Sequence, residues 1–301
     1  MKIALYSLPR SRSEVLFNYL EPLATMLDMK VFRPVNGNYY YIDNTKILDN
    51  TFLKIDSRTD QDLLIKIAKA LSNHHWFITT RKFEDFCLSL SYAMQANKFH
   101  DTDTESVYNN FTISYEQYVY ARDLYNKHIN DIALLKQYIN NITIIDYNDS
   151  IAINSNTLHI EKEYKQLCNN YIQFRDWQRV DYILNQPKIR KWNCWSSHHN
   201  KGSLHINDLF NDIVDQENCY MWYNIYENGD SQDWHTHDSV EKCGTRFLQI
   251  PNNSGLFEFD TGPVKNTQHT QIDFLPTDMH RVTQHNNIIP RITVSWNIKN
   301  K

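Results

Sequence analysis

The chain has 301 residues, of which 22% are charged and 41% hydrophobic. That is an ordinary globular balance with room for one large or two ordinary domains, and it excludes a disordered or fibrous chain. A net charge of -4 gives no general attraction to nucleic acid or acidic lipid, and no stretch approaches the ~20 apolar residues of a membrane span.

The five cysteines (Cys87, Cys168, Cys194, Cys219 and Cys243) are odd in number and form no Cys-x-x-Cys pair. Together with an apolar run at Met1–Ser7 too short for a signal peptide, this points to a reducing cytoplasm. Few glycines and a surplus of Asn, Ile, Lys and Tyr suit an AT-rich genome, such as that of a phage or bacterium.

Lys2-Ile-Ala-Leu-Tyr-Ser reads as a short buried strand, and Glu14-Val-Leu-Phe-Asn-Tyr-Leu as an amphipathic helix ending near Pro22. Between them lies Pro9-Arg10-Ser11-Arg12-Ser13. A strand, a polar loop and a helix aim backbone N–H groups and a helix dipole at a phosphate. Without glycines, the same loop also reads as an ordinary turn with two solvated arginines. Downstream, His74 to Arg81 is a strand that leads into a helix carrying Ser89, eight residues after Arg81. Residues 111–138 form a long Tyr-rich helix, Ile142 begins another strand, and a helix spans roughly 160–184. Lys54 in Phe52-Leu-Lys-Ile-Asp is read as a surface lysine in preference to an added charge at a site.

Taken together these motifs resemble the sulfotransferases. The resemblance assigns Pro9, Arg10, Ser11, Arg12 and Ser13 to the 5′-phosphosulfate, and Arg81 with Ser89 to the 3′-phosphate of 3′-phosphoadenosine 5′-phosphosulfate. It makes Arg10 the catalytic charge stabiliser of sulfuryl transfer. Tyr147 and Asp149 also match, while Asn148 replaces an acid and Arg12 stands where the family has glycine. The fold it implies for residues 1–186 is an α/β domain of P-loop-like type, a parallel sheet with helices.

Residues 187–301 read differently. A Trp- and His-rich entry segment contains His198 and His199, which are adjacent and therefore face opposite ways on a strand, and residues 205–214 read as a helix. Tyr223-Asn-Ile-Tyr226 alternates as a half-buried strand, Glu227-Asn-Gly-Asp turns, and Trp234-His235-Thr236-His237 follows. Positions i and i+2 of a strand share a face, so His235 and His237 can converge on one ion. Gly255-Leu-Phe-Glu-Phe is a further strand. His280 follows a Pro-Thr turn, and Arg291 opens the last strand with Thr293 on the same face.

This segment resembles the iron(II)/2-oxoglutarate-dependent dioxygenases of the prolyl-hydroxylase-like branch. Tyr226, His235, His280 and Arg291 match in order and spacing. The resemblance implies an all-β double-stranded β-helix (a jelly-roll or cupin-like barrel), with iron(II) held by histidines. It places 2-oxoglutarate with its far carboxylate on Arg291, Thr293 and Tyr226. The family's acid falls on His237. Three readings stand: a three-histidine site, a site that His237 leaves to a halide, water or substrate, or a metal-free barrel. The first is favoured, since neither Asp233 nor Asp238 has the required spacing.

The combined expectation is a hydroxylase with an attached sulfotransferase-like domain acting on a small molecule, glycan or peptide. The alternatives are an oxygenase with a degenerate first domain, or a cupin-like binding protein.

Overall fold

The computed structural model describes residues 2–7, 29–32, 51–96, 112–146, 168–197, 207–214 and 218–299, with positions 17, 20–22, 24–25 and 204 between them. The chain divides into two compact units, 1–170 and 171–301. The loop Pro9–Ser13 and residues 147–149 lie outside the described residues.

The first unit is built on a parallel sheet. Its strands are β1 (Ile3–Ser7), β2 (Lys30–Phe32), β3 (Thr51–Asp56), β4 (His75–Thr80) and β5 (Ile142–Asp146), in the spatial order β2-β3-β1-β4-β5. Every residue of the central β1 is buried, as expected of a parallel strand covered on both faces. Alternation divides it: Ala4 and Tyr6 pack with Leu53, Ile55 and Ile78, while Ile3 and Leu5 pack with Phe17, Leu20 and Phe52.

The described helices of this unit are α1 (Gln61–Ala70), α2 (Phe83–Ala96) and α3 (Tyr115–Leu135). Each well-marked start has a polar cause. Asp60 accepts the free N–H groups of Asp62 and Leu63, and Ser114 with Gln117 closes a reciprocal capping box. Inside the unit, the Tyr6 hydroxyl donates to Asp131 at 2.5 Å and Lys127 pairs with the same carboxylate at 2.6 Å. Lys54 is half-buried, with its ammonium 5.9 Å from the Phe17 ring centre.

The second unit is a jelly roll of two antiparallel sheets preceded by a helix, α4 (Cys168–Leu184). The six-stranded sheet runs β13 (Gln271–Phe274), β10 (Val240–Gln249), β15 (Arg291–Lys299), β8 (Cys219–Tyr226), β7 (Cys194–Ser196) and β6 (Arg190–Lys191). The four-stranded sheet runs β12 (Gly262–Pro263), β11 (Phe257–Phe259), β14 (His280–Val282) and β9 (Gln232–His235). Phe247, Phe257, Phe274 and Val282 fill the space between them.

Helix α4 is fastened to this unit by charge. The Asp176 carboxylate, fully buried, accepts from Arg246 twice at 2.8 Å, from Arg179 at 2.6 Å and from His269 at 3.1 Å. Residues 207–214 are turns rather than the helix expected over 205–214. Their backbone is drawn off by side chains: Asn207 Oδ1 accepts from Leu209 N, and the Leu209 and Asp208 carbonyls accept from Arg179 and Arg175. No helix among the described residues is long and apolar enough to cross a membrane.

Candidate metal centre and its pocket

β9 ends on His235 and β14 begins on His280, and the two are cross-strand partners. The next partners are Gln232 and Val282, so β9 carries one extra residue, a bulge. That extra residue brings both Gln232 and His235 to the inner face although they are three apart. His237 lies beyond the strand end, not on it, and its N–H donates to Pro276 O at 3.0 Å. The expected i, i+2 pair therefore converges by a turn out of the strand, not by strand alternation.

One nitrogen from each of His235, His237 and His280 lies within 4.8 Å of the others. The Nε2 atoms of His237 and His280 are 3.3 Å apart, close to the roughly 3 Å between neighbouring nitrogens at metal–nitrogen bonds of ~2.0–2.1 Å. His235 Nδ1 lies 2.8 Å from the Asp233 carbonyl, and His280 Nδ1 lies 2.8 Å from the Asp278 carbonyl. A carbonyl only accepts, so both rings carry their proton on Nδ1 and leave the Nε2 lone pair facing inward. Burial pushes His280 down to about 4, helped by the other two histidines and opposed by the Asp278 carbonyl. Burial likewise lowers His235 against its bond to Asp233. Both are neutral at pH 7, the form that binds a metal. Phe257 stacks on His280 with ring centres 5.2 Å apart, and Phe274 meets it edge-on at 4.7 Å.

The other anchor sits at the start of β15. Arg291 is 0% exposed. Its Nη1 donates to Gly255 O at 2.7 Å and its Nη2 to Asn266 Oδ1 at 2.9 Å. Its Nε has no hydrogen-bond partner, and no carboxylate among the described residues pairs with it. Burial pushes it down to about 10, opposed by Tyr226. The backbone at residue 255 must be glycine, because a Cβ there would lie 2.1 Å from Thr283 O.

All six residues expected at this end of the chain, Tyr226, His235, His237, His280, Arg291 and Thr293, line one pocket. Tyr226 faces Arg291 across β8 and β15, and Thr293 faces Asn224. The Tyr226 hydroxyl, however, donates to Gln232 Oε1 at 2.9 Å, and Gln232 Nε2 sits 3.4 Å from His235 Nε2. Gln232 thus spans the pocket between tyrosine and histidine. The enclosed space is ≈ 20 Å³, room for about one water.

Sequence reasoning missed Gln232, Asn266 and Asn297. Asn297 lies 3.2 Å from His237 Nδ1 through its side-chain nitrogen. The alternation 291, 293, 295, 297 along β15 is a signal that finds it. In the first unit Arg81 is 5% and Ser89 2% exposed, at the end of β4 and within α2.

No family model and no curated protein matches the sequence. Solved structures similar to it include a Pseudomonas putida prolyl-4-hydroxylase, at 11% identity, covering 44% of this chain and 88% of that one with a TM-score of 0.32. A 2OG-Fe(II) oxygenase family protein from Burkholderia pseudomallei is similar at 13% identity, covering 40% of this chain and 76% of that one, TM-score 0.32. A cupin domain from Bordetella pertussis is similar at 20% identity over 29% of this chain and 88% of its own length, TM-score 0.23.

Proposed function

We propose that the second unit is an iron(II)- and 2-oxoglutarate-dependent oxygenase with a three-histidine metal centre. One observation carries this reading. A guanidinium with no carboxylate partner is buried in the same pocket as three inward-facing imidazole nitrogens. A buried charge is costly unless compensated, and the far carboxylate of a diacid compensates it.

His235, His237 and His280 would hold the ion. Iron(II) there supplies oxidation of a C–H bond by dioxygen at the expense of 2-oxoglutarate. Three neutral imidazoles bring no charge, so the ion keeps its full attraction for the anionic 2-oxo acid end. Arg291 Nε has no hydrogen-bond partner and would donate to the distal carboxylate, with Thr293 lining the same pocket. Phe257 and Phe274 exclude water from the histidines. Gln232 lies between the Tyr226 hydroxyl and His235 Nε2, so a diacid that reaches both the ion and Arg291 would take the place of its amide.

Anoxic titration of the whole protein with iron(II) and then 2-oxoglutarate tests the reading. The expected result is one ion per chain and a weak visible charge-transfer band, absent in His280→Ala. Failure to retain metal would leave a cupin-like binding protein in its place.

A second reading concerns the first unit. We propose that it binds 3′-phosphoadenosine 5′-phosphosulfate, with Arg81 and Ser89 toward the 3′-phosphate. The favouring observation is a guanidinium and a hydroxyl buried at and beyond the carboxyl end of β4, the edge at which open parallel sheets take their ligands. Arg10 and its loop, on which sulfuryl transfer depends, lie outside the described residues. A rise in melting temperature with 3′-phosphoadenosine 5′-phosphate, lost in Arg81→Ala, supports this reading. No shift at millimolar ligand removes it.

A further inference from the structure

We infer that Asn297 is a positioning residue that holds the ring proton of His237 on Nδ1 and so presents its Nε2 to the metal. The inference rests on the oxygenase reading and deepens it.

An imidazole binds a metal only through a nitrogen without a proton, so an inward Nε2 requires the proton on Nδ1 and an acceptor to hold it. A carboxylate ligand at this position would need no such help. His235 and His280 each take their acceptor from a backbone carbonyl two residues back, at 2.8 Å. His237 has a side chain instead: Asn297, reaching its Nδ1 from the inner face of β15.

The side-chain amide of Asn297 lies 3.2 Å from His237 Nδ1, and Nε2 of the same ring lies 3.3 Å from His280 Nε2. The two ends of an amide have the same shape, and the end that faces the ring follows the ring proton. With Oδ1 against Nδ1, the proton is held there and Nε2 is left for the ion. Aspartate accepts in the same way, and leucine does not accept at all.

The test uses the full-length metal-free protein and cobalt(II), followed by calorimetry and visible absorption. A long-range proton–nitrogen spectrum of the imidazoles is recorded on the metal-free protein and on its diamagnetic zinc(II) complex. Wild type is expected to bind one cobalt, and in the zinc complex all three histidines are expected to carry their proton on Nδ1. Asn297→Leu is expected to bind about 10–100-fold more weakly, and Asn297→Asp to restore binding with His237 on Nδ1–H before metal is added. In the His237→Ala background, Asn297→Leu is expected to cost nothing further.

If wild type binds no cobalt, the oxygenase reading itself falls. If wild type binds but Asn297→Leu binds equally well, or His237 keeps its Nε2 proton in the complex, the role of Asn297 is overturned and the oxygenase reading stands. Should Asn297→Leu not fold, the wild-type spectrum and Asn297→Asp still decide.

Discussion

Two buried arginines of the second unit, Arg179 and Arg291, have opposite surroundings. Arg179 is 1% exposed, and all three of its side-chain nitrogens are taken: by Asp176, by Asp212 and by the Leu209 carbonyl. Arg291 is 0% exposed, is held by two neutral oxygens, and keeps one donor without a partner. An isolated buried ion costs several kcal/mol even after relaxation. A cation whose task is to hold the fold brings its anions with it, as Arg179 does on α4. Arg291 brings none among the described residues, which is the partner that the proposed diacid would supply. The comparison sets a fastening beside a proposed binding site.

The largest effect is expected from removing the anion of the fastening. Asp176→Ala leaves Arg179, Arg246 and His269 facing each other without their shared carboxylate. Breaking a buried pair costs about 3–5 kcal/mol, a fall of roughly 10–20 °C in the melting of this unit. Thermal unfolding followed by circular dichroism measures it. A fall of only a degree or two would make the cluster a surface feature and remove one side of the comparison.

Acid sharpens the contrast next. His280 is held down to about 4 in the folded protein, against 6.5 unfolded. Between those values the unfolded chain binds the proton and the folded one does not, so metal-free protein loses stability as pH falls from 6.5 to about 4. The contribution of Asp176 declines in the same direction but in a lower window. Burial raises its carboxyl, but the bonds from His269 and Arg246 and the charges of Arg246 and Arg179 outweigh this and lower it below 3.8. Its contribution is whole above 3.8 and is lost only below that. Urea denaturation across pH is therefore expected to show two separate declines. His280→Gln lessens the upper one, to which the lowered His235 also contributes. Bound metal deepens it, because the ligated imidazoles stay unprotonated while the unfolded chain takes up protons. Asp176→Asn flattens the lower.

Much of the second unit was legible because β-sheet geometry writes itself in period two. Tyr226 and Arg291, 65 positions apart in sequence, are direct partners across β8 and β15, and each opens or closes a run that alternates visibly. The three histidines were legible by spacing, although His237 reaches the focus by leaving the strand. What stayed hidden depends on irregularity or distance. Gln232 turns inward only because of the bulge opposite His280, and no spacing rule announces a bulge. The Asp176 cluster joins residues 70 and 93 positions apart, which no local pattern connects. The helix expected over 205–214 fails because Asn207 and two arginines compete for its backbone. Such competition is decided by α4, not by local propensity. In the first unit the short apolar runs at β1, β4 and β5 marked strands, while their parallel pairing was expected only from the resemblance.

The smallest effect on stability is expected at the other arginine, and it is the most informative. Arg291→Met keeps the length and the apolar stem packed against Phe247 and removes the charge. Gly255 O and Asn266 Oδ1 lose a donor, at about 1 kcal/mol each, while the desolvated ion disappears. Replacing a buried ion by a well-packed apolar side chain is often neutral or stabilising, so the melting temperature is expected to stay within a few degrees of wild type. Binding is expected to change completely. With manganese(II) present, 2-oxoglutarate at 100 times its dissociation constant stabilises the wild-type unit by about 2.7 kcal/mol, and Arg291→Met loses that increment while still binding metal. If Arg291→Met unfolds as readily as Asp176→Ala, both arginines are fastenings. If it keeps the 2-oxoglutarate increment, the diacid is gripped elsewhere, and Arg291 is a buried charge whose compensation lies in neutral oxygens alone.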